Sequence, residues 1–289
     1  MYPAAFEYHA PTSIGDALGL LRQLGDDAKL LAGGHSLVPM MKLRLAQPKH
    51  LIDLRKVPNL AGIREDGGML AIGAMTTHYQ IESSKLVQQK ILVLSEVAGM
   101  VGDPQVRNLG TIGGSVAHAD PAADWPAAMV ALGAEFVCEG PGGRRTVKVD
   151  DWFVGLMSTA VREDEILVEV RVPVWPAGSG AAYMKFRHPA SRFAVVGVAA
   201  AVTLDRNGAC SKAGVGVTGA GTKAVRAKGV EQGLSGKSLD GAAIEAASQK
   251  AAEGVDVQAD LQGSVEYKSH LCRVFARRAI EAAVKRARG

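Results

Sequence analysis

Two hydrophobic periods run along this chain, and the point where one gives way to the other divides it. Residues 12–25, TSIGDALGLLRQLG, follow the helical period. Leu18, Leu20, Leu21 and Leu24 share a face, Thr12 or Ser13 supplies an N-cap, and Gly25 stops the helix. AKLLAG (28–33) is a short apolar strand that runs into a glycine pair, and HLIDL (50–54) is a strand opened after Pro48. GMLAIGAM (68–75) predicts a strand leading through Thr76 and Thr77 into a helix from His78. Residues 91–102, ILVLSEVAGMVG, predict a helix closed by Gly102. Residues 106–133 carry a second glycine-rich loop, TIGGS, into a helix that ends at Gly133. AEFVCEGPGGRRTVKV (134–149) is a hairpin with a Gly/Pro turn, and EILVEVRVPV (165–174) alternates as a half-buried strand.

After WPAGSGAA (175–182), a linker by composition, the texture changes. YMKFRH (183–188), FAVVGVAAAVTLDRNG (193–208) and CSKAGVGVTG (210–219) predict a three-stranded antiparallel sheet with Asn207-Gly208 in a turn. Helices follow in 222–234, in 240–253 and from Ser264, the last with Tyr267, Leu271, Val274, Phe275 and Ile280 on one face. The chain therefore reads as α+β in two domains, 1–176 and 177–289. The first divides into α/β subdomains of about 1–57 and 58–176.

Composition narrows the function. A chain of 289 residues, 47% apolar and 21% charged, is an ordinary globular protein with room for a large core. The net charge of +4 is mild and the basic residues are scattered, so they read as solvated faces. At 5% aromatic residues a base-stacking platform for nucleic acid is not expected. Cys138, Cys210 and Cys272 are far apart, which excludes a local iron–sulfur or zinc knuckle and fits a reducing, cytoplasmic compartment. The opening stretch MYPAAFEYHAPTS has no basic start followed by an apolar run, so no signal peptide is expected there. The longest apolar run, 193–204, is too short to span a bilayer, which leaves peripheral membrane contact at most.

Three glycine motifs compete for a ligand. GVGVTG (214–219) matches the dinucleotide pattern G-x-G-x-x-G, but Val215 and Val217 alternate as in a strand, and no helix opens within it. AGGHS (32–36) and TIGGS (111–115) differ, because each follows an apolar run and is flanked by hydroxyl or imidazole groups. Glycine admits close backbone approach and positive φ, and successive N–H groups then form a concave nest for phosphate oxygens. Ser36, Thr111 and Ser115 add side-chain donors. Two such loops in one domain suit the two phosphates of a diphosphate.

The segments LLAGGHSLVPMMKLRLAQPKHLIDL, IGAMTTH, DPQVRNLGTIGGSVAHADPAADWPA and YKSHLCRVFARRAIEAA together make the resemblance specific. Over essentially its whole length the chain resembles the FAD-binding medium subunit of the molybdenum hydroxylases. This group includes the medium subunits of aerobic carbon monoxide, xanthine, aldehyde and N-heterocycle dehydrogenases. The resemblance implies a vanillyl-alcohol-oxidase-like FAD-binding domain followed by a C-terminal α+β domain, with FAD held noncovalently.

It also implies site residues. Ala32, Gly33, Gly34, His35, Ser36 and Leu37 would hold the diphosphate from one side, and Thr111, Gly113, Gly114 and Ser115 from the other. Asp124 falls where a carboxylate meets a ribose or ribityl hydroxyl, and equally where a helix dipole favours an acid. Val101 and Leu167 match apolar positions lining the cofactor. Lys185 matches a lysine near the pyrimidine end of the isoalloxazine, or else is a solvated strand lysine. Phe193 stands where carbon monoxide dehydrogenase flavoproteins carry tyrosine; it keeps the stacking face and loses the hydroxyl, which argues against carbon monoxide as substrate. Ser115 stands where many members have asparagine.

His35 and His118, each beside a glycine loop, read as neutral hydrogen-bonding groups. No catalytic nucleophile–base set and no metal-ligand spacing stands out. The implied role is electron transfer: a molybdenum cofactor on a large partner subunit and [2Fe-2S] clusters on a small one, in a dimer of heterotrimers. An external acceptor takes the electrons. A self-sufficient FAD oxidase of the same fold is the alternative.

Overall fold

The computed structural model describes residues 2–289, so Met1 of the opening stretch lies outside it. The first module is a three-stranded parallel sheet in the order β1 (Glu7–His9), β3 (His50–Asp53), β2 (Ala28–Leu31). Helix α1 (Ile14–Leu24) connects β1 to β2, with the Ser13 hydroxyl accepting from the Asp16 N–H as its cap. Ala17 and Leu21 of α1 pack with Ile52, Leu54 and Val57 on one face of the sheet. Leu31 and Leu51 meet Met41 of α2 (Leu37–Lys42) on the other. A parallel sheet covered on both faces gives apolar runs rather than alternation, which is why AKLL and HLID looked like buried strands.

The second module is a five-stranded sheet, β4 (Ile63–Asp66), β5 (Met69–Gly73), β10 (Ile166–Pro173), β6 (Glu135–Gly140) and β7 (Gly143–Lys148), in that spatial order and antiparallel throughout. Helices α3 (His78–Ser83), α4 (Lys85–Lys90), α5 (Leu92–Met100), α6 (Pro104–Leu109), α7 (Ile112–His118) and α8 (Asp124–Leu132) lie between β5 and β6 in sequence. After β7 come one turn, α9 (Val149–Trp152), and a short hairpin, β8 (Phe153–Gly155) and β9 (Ser158–Thr159). Phe136 stacks on Trp152 at 4.2 Å between ring centroids in the core beneath these helices. The sheet's reverse face gives Val137, Ile166 and Val168 to the core under α1, so the first two modules share apolar packing. A β-bulge in β10 between Leu167 and Glu169 shifts the alternation, so that Leu167 and Val170 face the same core.

The third sheet has four strands, not the expected three: β11 (Ser179–Arg187), β12 (Ala194–Leu204), β13 (Cys210–Thr218) and β14 (Val225–Arg226). The first turns of the helix expected over 222–234 are replaced by β14, because Gly216 and Val217 pair with Arg226 and Val225. Helix α10 starts only at Lys228 and runs to Leu234; α11 covers Gly241–Ser248 and α12 Val265–Ala287. Leu271, Phe275 and Ile280 of α12 are buried against this sheet. Tyr267 departs from that face: it is exposed and meets Phe186 edge-on at 6.3 Å.

The dinucleotide-like GVGVTG lies within β13 and at its end, as its alternation implied. Its glycines have a packing reason. A Cβ on Gly214 or Gly216 would overlap the carbonyl oxygen of Ala131 or Ala127 in α8. Missing side chains thus let α8 rest directly on β13. Gly216→Ala is expected to lower stability by about 1–3 kcal/mol through overpacking. Gly142→Ala, in an open turn with nothing within 4 Å of the added methyl, should change it by less than about 0.5 kcal/mol. Urea unfolding of the two variants checks this.

Candidate functional site

Strand β2 ends at Leu31, and the chain turns through residues 32–36 into α2. Gly34 has φ +77°, a conformation that side-chain-bearing residues rarely adopt. No backbone or side-chain acceptor among the described residues takes the N–H groups of Gly33, Gly34, His35, Ser36 or Leu37. Ser36 occupies the N-cap position of α2 but makes no capping bond. These are five successive donors without a partner among the described residues.

The second glycine segment is built differently. Thr111 is the N-cap of α7, and Gly113 and Gly114 lie inside that helix rather than in a loop. The N–H groups of Ile112, Gly113, Gly114 and Ser115 already bond to Thr76 O, Ala74 O, Thr111 Oγ1 and Thr111 O. The expectation of two equivalent nests is therefore corrected: helix formation uses the second set of donors. What this segment offers is close approach and hydroxyls. Gly113 packs on Ala74, and a Cβ on Gly114 would lie 3.7 Å from the Ala32 methyl. The two segments are also adjacent through Gly33, where a Cβ would sit 2.7 Å from Gly110 Cα and overlap Leu109 O.

Asp124 opens α8 and is buried. Its Oδ1 accepts the Tyr183 hydroxyl at 2.6 Å and its Oδ2 the Lys185 ammonium at 2.9 Å. Burial pushes the Asp124 carboxyl above its ordinary range, against the pull of Lys185 and Tyr183. Burial, together with the facing carboxylate, pushes the Tyr183 phenol well up. Lys185 is not a solvated strand lysine, since only 5% of its side chain is exposed. Its ammonium also donates to Met100 O at 3.0 Å and Arg192 O at 2.8 Å. Three donors thus meet three acceptors from three segments, and no N–H of Lys185 is left over.

Arg192, at φ +63°, also sends its guanidinium to Gly102 O, which fixes the turn that carries Phe193. Phe193 is 46% exposed and forms one wall of a cavity of about 190 Å³, with Ala122, His188 and Lys268 among the other walls. Val101, the C-cap of α5, packs half-buried against the central core, and Leu167 is buried within it. His35 is exposed in the donor turn, and His118 closes α7.

Sequence reasoning passed over two members of the site. Tyr183 gave no signal beyond its place in a strand. His78, the last residue of the IGAMTTH segment, is buried and accepts the Trp125 indole N–H on Nδ1 at 3.1 Å. Burial holds its pKa down to about 4, so the ring is neutral and carries its proton on Nε2. That edge faces Gly110, where a Cβ would lie 2.9 Å from Nε2. The Trp125 that follows Asp124 therefore has a purpose: it fixes the tautomer of the imidazole under the paired segments.

A histidine depressed in the folded state stabilises above its ordinary pKa, and that stability is lost as pH falls toward the folded value. With an ordinary value of 6.5 and a folded value of about 4, the window opens just below neutrality. Unfolding free energy should drop by about 2 kcal/mol between pH 7 and pH 5 from this group. His78→Gln should remove most of that slope. Urea titrations of both proteins at the two pH values test it, and an unchanged slope in the variant would assign the acid sensitivity elsewhere.

The comparisons agree along the whole chain. Residues 4–175 match the family described as the FAD binding domain in molybdopterin dehydrogenase, and residues 181–283 match the CO dehydrogenase flavoprotein C-terminal domain. The carbon monoxide dehydrogenase medium chain of Hydrogenophaga pseudoflava is 46% identical over 98% of both chains. The 6-hydroxypseudooxynicotine dehydrogenase complex subunit alpha of Paenarthrobacter nicotinovorans is 40% identical over 100% of this chain and 97% of its own. A solved carbon monoxide dehydrogenase from H. pseudoflava superposes with a TM-score of 0.96 over 99% of both chains at 46% identity. Quinoline 2-oxidoreductase from Pseudomonas putida 86 does so at 0.92 over 99% of both, with 33% identity. The five free donors at the end of β2 thus belong to a family of known cofactor, and this chain is an FAD-binding medium subunit of the carbon monoxide dehydrogenase type of molybdenum hydroxylase.

Proposed function

We propose that this chain is the electron-transfer subunit of a three-subunit hydroxylase, receiving electrons from [2Fe-2S] clusters on a small partner and passing them to an external acceptor. The observation that carries the proposal is the row of N–H groups from Gly33 to Leu37 left without a partner among the described residues. FAD, when bound, supplies the ability to collect electrons singly and release them in pairs.

The residues fit that cofactor. Ala32 to Leu37 would hold its diphosphate by main-chain N–H groups, the missing side chain at Gly33 letting this turn close on Leu109 and Gly110. The Thr111 and Ser115 hydroxyls, and the flat surface of Gly113 and Gly114, would face the same group. Asp124 keeps lone pairs free beyond the two that Tyr183 and Lys185 use, so it can also accept a ribityl or ribose hydroxyl. Phe193 would offer a ring face to the isoalloxazine, with Val101 and Leu167 as apolar lining. Lys185 would act on the flavin by fixing the Phe193 turn and by its charge, its N–H groups being already engaged.

The substrate would be chosen on the molybdenum subunit. Relatives named for carbon monoxide, at 46% and 41% identity, and for 6-hydroxypseudooxynicotine, at 40%, all match over essentially the whole chain. Residues 1–176 and 177–289 would serve as cofactor domain and covering domain. A reducing cytoplasm suits the three free, buried cysteines; no helix among the described residues is long and apolar enough to cross a membrane. Permanent docking of two partners calls for interfaces above about 1,000 Å² each.

Gly114→Val would place a branched side chain beside Ala32 and the Thr111 hydroxyl. The variant is expected to fold, by circular dichroism, yet to emerge from gel filtration without FAD absorbance; retention at the wild-type level would remove the diphosphate assignment. The full chain produced alone is expected to take electrons from dithionite. It should not be bleached anaerobically by carbon monoxide, aldehydes or N-heterocycles until the molybdenum and iron–sulfur subunits are added. Catalytic bleaching by any of these substrates without partners would replace the subunit reading with the self-sufficient oxidase.

A further inference from the structure

We infer that Glu7, His9 and His50 form a binding site for one divalent transition-metal ion of the Zn²⁺ class, joining the N-terminal strand to the centre of the first sheet. The three residues come together through register. Glu7 pairs with His50 across the parallel β1–β3 ladder, and His9 lies two residues beyond Glu7, on the same face of β1. His9 Nε2 lies 3.2 Å from His50 Nδ1, and Glu7 Oε2 lies 3.4 Å from that same nitrogen. All three ligand atoms fall within 4.8 Å of one another, and no other such trio occurs among the described residues.

The electron count favours a cation over hydrogen bonding alone. If His50 Nδ1 carries a proton, that proton serves one neighbour and leaves the other to solvent. If it carries none, Glu7 Oε2 confronts another lone pair. One metal ion answers all three. Zinc–nitrogen and zinc–oxygen bonds of about 2.0–2.1 Å at the tetrahedral angle put neighbouring ligand atoms about 3.3 Å apart, which agrees with both short separations. Two imidazoles and one carboxylate suit Zn²⁺ and its transition-metal neighbours rather than Mg²⁺, which prefers oxygen and water. The rings stand 5.3 Å apart at 42°, so neither blocks the other's nitrogen by stacking.

The rest of the chain competes poorly for the ion. Cys138, Cys210 and Cys272 are buried, and burial pushes the thiols of Cys138 and Cys272 up to about 11 and about 12. Lys49, next to His50, has its ammonium on Asp27 at 3.0 Å. The mechanical effect follows from topology. β1 is a three-residue edge strand, and its one other side-chain anchor to β3 is the Tyr8 hydroxyl on Asp53. A bound ion would add a second anchor to the sheet whose third strand, β2, leads into the donor turn at residues 32–37.

The test uses the full chain, stripped with a chelator and titrated with Zn²⁺ by calorimetry, with Mg²⁺ as the control ion. The expected result is one Zn²⁺ per chain, slower amide exchange at residues 7–9, and no saturable heat from Mg²⁺. His9→Gln and His50→Gln should each weaken Zn²⁺ binding by about tenfold or more. Glu7→Gln covers the case of a histidine variant that misfolds, since the Glu7 side chain is 75% exposed and its loss cannot unfold the sheet; it too should lower affinity. Absence of saturable Zn²⁺ binding, or wild-type affinity in either a folded histidine variant or Glu7→Gln, overturns the site.

Discussion

The ion pair between Lys185 and Asp124 is the interaction on which the arrangement of this molecule depends. An unpaired carboxylate at the depth of Asp124 would cost several kcal/mol, and a lone ammonium there as much. Each is tolerated because the other arrives from a different module: Asp124 opens α8 of the second, and Lys185 lies on β11 of the third. Tyr183, two residues before Lys185 on the same face of the strand, donates its hydroxyl to the same carboxylate. The same ammonium holds Met100 O at the end of α5 and Arg192 O in the turn before Phe193. One buried charge thus sets the positions of a helix start, a helix end and an aromatic turn together.

Around this polar centre the modules meet mostly through backbone. α8 lies on β13 where Gly214 and Gly216 leave room, and within the third module α12 lies on β11 at Gly180 for the same reason. Thr218 and Gly219 reach Pro121 O, and Ala194 reaches Ala122 O, so the stretch before Asp124 is held on its far side as well. Short contacts of this kind allow little sliding between layers, because interiors packed at this density have discrete rather than continuous arrangements.

Much of this was legible in the sequence, for identifiable reasons. The caps at Ser13 and Thr77, the stops at Gly102 and Gly133, and strands β2, β3, β5, β6, β7 and β10 follow from local chemistry; the short strands β1 and β4 carried no such signal. A cap needs its hydroxyl beside the first turn, and a covered parallel strand needs an apolar run. The rejection of GVGVTG as a nucleotide loop rested on alternation, which is also local. What escaped was non-local. Whether the N–H groups of Ile112 and Gly113 stay free depends on Thr76 and Ala74, which reach them only after β5 and α7 have packed. The partners of Lys185 lie up to 85 residues away, and nothing in YMKFRH announces them. β14 exists because an edge of β13 was open to receive it. His78 differs: its segment was noticed, but the hydrogen bond that makes it neutral spans 47 residues.

The donor turn at residues 32–37 has a thermodynamic consequence. On the proposed assignment, hydrogen-bonding groups that the protein leaves unanswered would be answered in the native state by FAD, which the unfolded chain has no means to recognise. Ligand that binds only the native state shifts the folding equilibrium by mass action, by about 2.7 kcal/mol at a hundredfold excess over its dissociation constant. That is a sizeable share of the 5–15 kcal/mol typical of a whole domain. The free FAD concentration, and not the amino-acid sequence alone, would then shift how much of this polypeptide is native and how much is exposed to proteolysis.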